Sequence, residues 1–151
     1  MTGVQTCALP IFPKRLAAAD PASPARGNVA GPTGLRLAAV GAAAVGDAIA
    51  RWWYLPGSAG TGLRGGRFTV RGDPVVHLRL HGVRFVADAT VDGTATWDLD
   101  SGKVTARVRV EGPGGAAAIL RMAWNDKGRH PSATVTGRAG GAPLAATLPA
   151  P

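Results

Sequence analysis

Asp126, His130 and Ser132 place the three residue types of a hydrolytic triad within one short stretch. A working triad needs the base held between nucleophile and carboxylate on a rigid scaffold, with donors aimed at the oxyanion. Asn125-Asp126-Lys127-Gly128 reads more simply as a hairpin turn, which puts the acid to structural use. Ser58 stands in Pro56-Gly57-Ser58-Ala59-Gly60, where a nucleophile elbow would need glycine at position 56 and a strand before it. His77 and His81 share a face of a strand, but four residues of extended chain separate them by about 13 Å, too far for one directly bound ion. Gly112-Pro113-Gly114-Gly115 has no helix behind it to make a phosphate site. No catalytic, metal-binding or cofactor-binding residue is assigned, and no cofactor is expected.

The elements around these residues follow two periods. From Phe12 to Thr33 the chain carries Pro13, Pro21, Pro24 and Pro32 without periodicity and reads as a linker. From Gly34 an Ala-rich segment places Leu37, Val45, Ala48, Ile49 and Trp52 at helical spacing, with Asp47 and Arg51 as an i,i+4 pair. Gly34, Gly41 and Gly46 each cost about 1 kcal/mol relative to alanine, so the helix should need a packing surface. The Pro56 to Gly60 stretch ends it.

Beyond Gly62 the period drops to two. Apolar and polar residues alternate through Arg67–Arg71, Val76–Leu80, Val83–Phe85, Val91–Trp97, Val104–Val110, Ala118–Trp124, Ala133–Thr136 and Leu144–Leu148. The alternation turns Phe68, Val70, Leu78, Leu80, Val91, Trp97, Val104, Val108, Leu120, Trp124 and Val135 inward. Turn residues stand between these runs and no helical segment does. The fold expected is mainly β: one N-terminal helix followed by an antiparallel β-meander closed into a small barrel or sandwich. The domain division is 1–11, 12–33 as a Pro-rich linker, 34–56 as the helix and 62–151 as the antiparallel β domain. Gly93 and Gly137, midway along strands in the similar strings Ala89–Gly93 and Ala133–Gly137, mark bulges or sharp bends.

The net charge is +8, carried by arginine far more than by lysine, which occurs only at 14, 103 and 127. Part of this follows from a GC-rich coding bias. Part is available for weak association with an anionic envelope surface. A nucleic-acid-binding sheet interleaves aromatics with its basic face, whereas Phe68, Phe85, Trp97 and Trp124 fall in the apolar phase, so no nucleic-acid partner is expected. No membrane span is expected either, because Arg36, Asp47 and Arg51 interrupt the best apolar run. Trp52, Trp53 and Tyr54 are adjacent helical residues that cannot all face inward, which makes them the candidate interface.

Two resemblances extend this reading. Met1 to Ile11 resembles a translated sequencing adapter, read from GTG as initiator. That implies a truncated gene whose true start is missing, and places the lone Cys7 in an artefact. Gly62-Leu63-Arg64-Gly65-Gly66-Arg67-Phe68, Gly82-Val83-Arg84-Phe85-Val86, Ala95-Thr96-Trp97, Gly102–Ala106 and Ala146–Pro151 resemble the C-terminal extension of secreted actinobacterial α/β-hydrolases, similar to tripeptidyl-aminopeptidase-like enzymes. The resemblance covers residues 12–151. It implies a non-catalytic accessory domain, an extracellular or cell-envelope location, and a missing upstream catalytic domain that holds the nucleophile, acid and histidine. The alternative is an independent cell-envelope or glycan-binding β-module.

Overall fold

The computed structural model describes residues 30–129 and 131–151. The adapter-like string, nearly all of the Pro-rich segment, and His130 lie outside them. Among the described residues one α-helix, α1 (Gly31–Tyr54), precedes eight strands: β1 (Ala59–Thr61), β2 (Arg67–Arg71), β3 (Val75–Val83), β4 (Thr90–Asp98), β5 (Lys103–Glu111), β6 (Ala117–Asn125), β7 (Ser132–Ala139) and β8 (Ala142–Pro149). All eight form one antiparallel sheet in chain order.

The meander is as the alternation requires, and all eleven inward-facing residues expected are buried. Closure into a barrel is not realised, because the sheet order ends at β1 and β8 and leaves these edges unpaired with each other. The physical reason lies in the helix. It touches β1 at one edge, β8 at the other, and β4 to β7 between them, so the curled sheet wraps around α1.

Wrapping explains why α1 is buried on nearly every side. Fifteen of its residues, from Gly34 to Ala50, are buried rather than a single stripe. Its glycines allow close approach: a Cβ on Gly41 would stand 3.0 Å from Val110 Cγ2 and 3.3 Å from Met122 Cε. The helix starts at Gly31, with Pro32 in its first turn, where a missing N–H costs nothing. It ends at Tyr54, before Leu55-Pro56, since a residue preceding proline is pushed out of the helical region. By length and composition α1 could cross a bilayer, despite its three charges, because Ala and Val dilute them; 83 % of the apolar window is buried. Burial of this extent is what a core helix requires.

Strand limits differ from expectation at two places. Val83–Phe85 is not a separate strand; β3 runs on to Val83 through an irregularity between Leu80 and Val83, where Gly82 N–H donates to Asp92 Oδ1 at 2.8 Å. β1, three residues long, begins inside the stretch expected only to end the helix and runs one residue past it. Gly137 is a bend rather than a bulge, since β7 pairs with both neighbours without a register shift there, whereas Gly93 pairs with Leu80 where the β3–β4 irregularity begins and so stands beside a bulge. The register aligns Leu80, Gly93, Val108, Leu120, Gly137 and Leu144 in one row across the inner face. Two glycines on one row let the sheet fold inward at two columns.

The Gly62–Phe68 motif locks helix to sheet. Leu63 N–H donates to Asp47 Oδ2 at 3.0 Å, Arg64 N–H to the Arg84 carbonyl at 2.8 Å, and Arg84 N–H to the Gly65 carbonyl at 3.0 Å. Gly66 has φ +74°, and a Cβ there would lie 2.0 Å from the Gly82 carbonyl oxygen. Asp47 is 1 % exposed and also accepts from Arg51 Nε at 2.9 Å. Burial pushes its carboxyl above the ordinary value of 3.8, against the pull of Arg51 and the Leu63 N–H. A raised folded-state pKa means that the native chain holds the proton more tightly, so this contribution is full below the unfolded value and fades as pH rises through the folded one. Asp47→Asn removes that slope. Urea unfolding at several pH values between about 4 and 7 should show the stability difference moving in the variant's favour as pH rises, and a constant difference would contradict it.

Candidate functional site

Asp126 sits in the turn after β6, where its backbone N–H donates to the Gly102 carbonyl at 2.9 Å. The same turn is stitched to the β4–β5 turn by Asn125 Nδ2 on the Ser101 carbonyl at 3.0 Å and Lys127 Nζ on the Asp100 carbonyl at 2.5 Å. Asp126 Oδ1 is buried with no completed hydrogen bond, as is Trp97 Nε1. Burial raises the Asp126 pKa, while the nearby Trp97 indole N–H and the charge of Lys127 oppose that rise. The hairpin reading of Asn125–Gly128 thus places the acid in a structural seam. Ser132 opens β7, exposed and opposite Pro149 on the edge strand. Ser58 lies in a bend ahead of β1, and its carbonyl accepts from Val70 N–H at 2.8 Å. The third member of the candidate triad, His130, lies outside the described residues.

His77 and His81 point to the outer face of β3, and the register sets them opposite Arg71 and Arg67. Neighbouring guanidiniums make this an unfavourable place for a cation. The helix-end aromatics divide. Trp52 and Trp53 close over Trp97, with ring centroids 6.0 and 5.7 Å away, and Trp52 Nε1 donates to the Gly57 carbonyl at 3.1 Å. Both are half-buried, whereas Tyr54 and Leu55 are exposed. Of the candidate interface, Trp52 and Trp53 serve largely as the cap of the core, and Tyr54 is the ring left at the surface.

The inner face is filled by α1, and the grooves described next lie on the outer face. Two neighbouring grooves of about 440 and 480 Å³ share Thr94 and Thr96 and together cross the outer face of the sheet. Two transverse rows of outward side chains line them. One runs Thr69, Arg79, Thr94, Arg107, Arg121, Thr136; the other runs Arg71, His77, Thr96, Thr105, Ala123, Thr134. No motif marked this surface. Its only signal in the sequence was the phase of the arginines and threonines, opposite to that of the core.

Comparison of the chain with protein-family models, with curated proteins and with solved structures gives no match.

Proposed function

We propose that this chain is a non-catalytic C-terminal accessory domain of a longer secreted serine α/β-hydrolase, whose catalytic residues lie upstream of Phe12. The observation that carries the non-catalytic part is the filled interior: α1 occupies the concave side of the sheet, where a pocket would otherwise form. Asp126 and Ser58 have structural roles in turns and bends, and Ser132 stands exposed at the start of β7, opposite Pro149 of the edge strand β8. The link to a hydrolase rests on the resemblance. Its leading motif, Gly62–Phe68, braces α1 against β2 and β3, which makes the helix part of the same unit as the sheet. An independent envelope or glycan-binding module is the second reading, favoured by the grooved basic outer face.

Expressed alone, the polypeptide should remain unlabelled by a fluorophosphonate probe. A reactive serine needs a base within reach and oxyanion donors on a supported turn. Labelling of Ser58 or Ser132 that disappears on His130→Ala would make the fragment an enzyme and defeat the proposal. Recovery of the upstream reading frame separates the two readings: a strand-Gly-x-Ser-x-Gly-helix block supports the hydrolase, and a membrane or lipid anchor leading into Pro13 supports the module.

A further inference from the structure

The outer face carries an unneutralised charge at a structural cost. The two groove rows contain Arg71, Arg79, Arg107, Arg121 and His77 and no carboxylate. Among the described residues, the ion pairs join Arg36 to Asp88, Arg51 to Asp47 and Arg109 to Glu111, and none involves the four groove arginines. Arg107 and Arg121 are directly opposite on adjacent strands, an arrangement that disfavours folding. Between the arginines stand Thr69, Thr94, Thr96, Thr105, Thr134 and Thr136. Thr96 and Thr105 share one hydrogen bond at 2.6 Å, which uses one of their two O–H donors. At about 4.8 Å per strand, a groove over six strands is about 24 Å long.

We infer that this groove binds a linear acidic polysaccharide laid across the strands, with Arg79, Arg107 and Arg121 on its carboxylates and the threonine hydroxyls on its sugar hydroxyls. Guanidinium forks match carboxylates in two-point geometry. The aromatic rings that would stack nucleobases are on the other side of the sheet: Phe68, Trp97 and Trp124 are all buried. A face offering only charge and hydroxyl groups complements a chain made of the same groups, and it does so whether or not a hydrolase lies upstream.

The test is fluorescence anisotropy at low salt with a labelled oligogalacturonate long enough to span the groove. The wild-type chain should bind it. Arg107→Ser with Arg121→Ser should weaken binding by about tenfold or more, the effect of losing one or two charge-assisted contacts. Arg64→Ser with Arg129→Ser removes the same charge away from the groove and should change affinity by no more than about twofold. Thr94→Val with Thr136→Val keeps the charge and should still weaken binding measurably. Equal losses from both arginine pairs, no effect of the threonine pair, tighter binding of a single-stranded oligonucleotide, or no binding at all would each overturn the assignment. Retained thermal melting in each variant ensures that a loss reports the face and not the fold.

Discussion

Trp97→Ala is expected to lower stability by about 3 to 5 kcal/mol, the range for removing a large aromatic from a packed core. Trp97 is 2 % exposed and lies on β4 between Val76 and Val104 on the neighbouring strands. Trp52 meets it edge-on at 83° and Trp53 at a 55° tilt, and such ring pairs add about 0.5 to 1.5 kcal/mol each beyond their buried area. Alanine would leave a cavity under both helix-end tryptophans, whose contacts with Trp97 tie that end of α1 to the sheet. Arg107→Ala is the matched control on the opposite face. It should change stability by no more than about 0.5 kcal/mol, or raise it slightly, because Arg121 then loses a like-charged neighbour. Urea unfolding of both variants measures the contrast. Small and equal effects would mean that the register or the assignment of the faces is wrong.

The faces were legible because the alternation from Arg67 onward is nearly unbroken and each turn carries residues suited to it. Gly140 and Gly141, at φ +58° and +81°, close the β7–β8 hairpin in the manner that their type suggests. The helix was legible in position but not in role. An apolar stripe of Leu37, Val45, Ala48 and Ile49 implies one buried side, whereas the alanines on the other sides are equally apolar and give no period. Only the curl of the sheet decides that they too are covered. Gly41 was countable as a cost in helix propensity, but the closeness of Val110 and Met122 that makes it necessary is a fact of packing.

The candidate site was less legible. Asp126 and Ser132 drew attention as residue types, and their surroundings then assigned one to a seam between two turns and the other to the exposed start of β7 beside the edge strand. The grooved face was hidden for a different reason. Arg79, Arg107 and Arg121 lie far apart along the chain and become one row only through the pairing of β3, β4, β5 and β6. Barrel closure failed for a related reason: alternation specifies which face is apolar, and says nothing of whether a helix will fill that face before the edges meet.

Gly137→Ala should be more damaging than its single added methyl suggests. Gly137 has φ +153°, a region that L-residues rarely adopt, and an added Cβ would stand 2.0 Å from the Ile119 carbonyl oxygen and 3.0 Å from Leu120 Cα. Those atoms belong to the backbone of β6, which is fixed by its ladder to β5, so no side-chain rotation can relieve the contact. Strain of about 1 to 3 kcal/mol from the backbone conformation adds to the displacement of a central strand. A total of about 3 kcal/mol or more is expected, among the large effects seen for single substitutions. Gly93, its counterpart on the same row, faces the Arg107 carbonyl oxygen at 2.1 Å and should behave alike. Gly140→Asn supplies the comparison: φ is +58°, nothing lies within 4 Å of the added Cβ, and asparagine tolerates the left-handed region at a hairpin turn. Chemical denaturation should therefore separate Gly137→Ala from Gly140→Asn by at least about 2 kcal/mol. Comparable stability of the two variants would show that the sheet bends elsewhere than at the Gly93–Gly137 row, and that the wrapping around α1 has another cause.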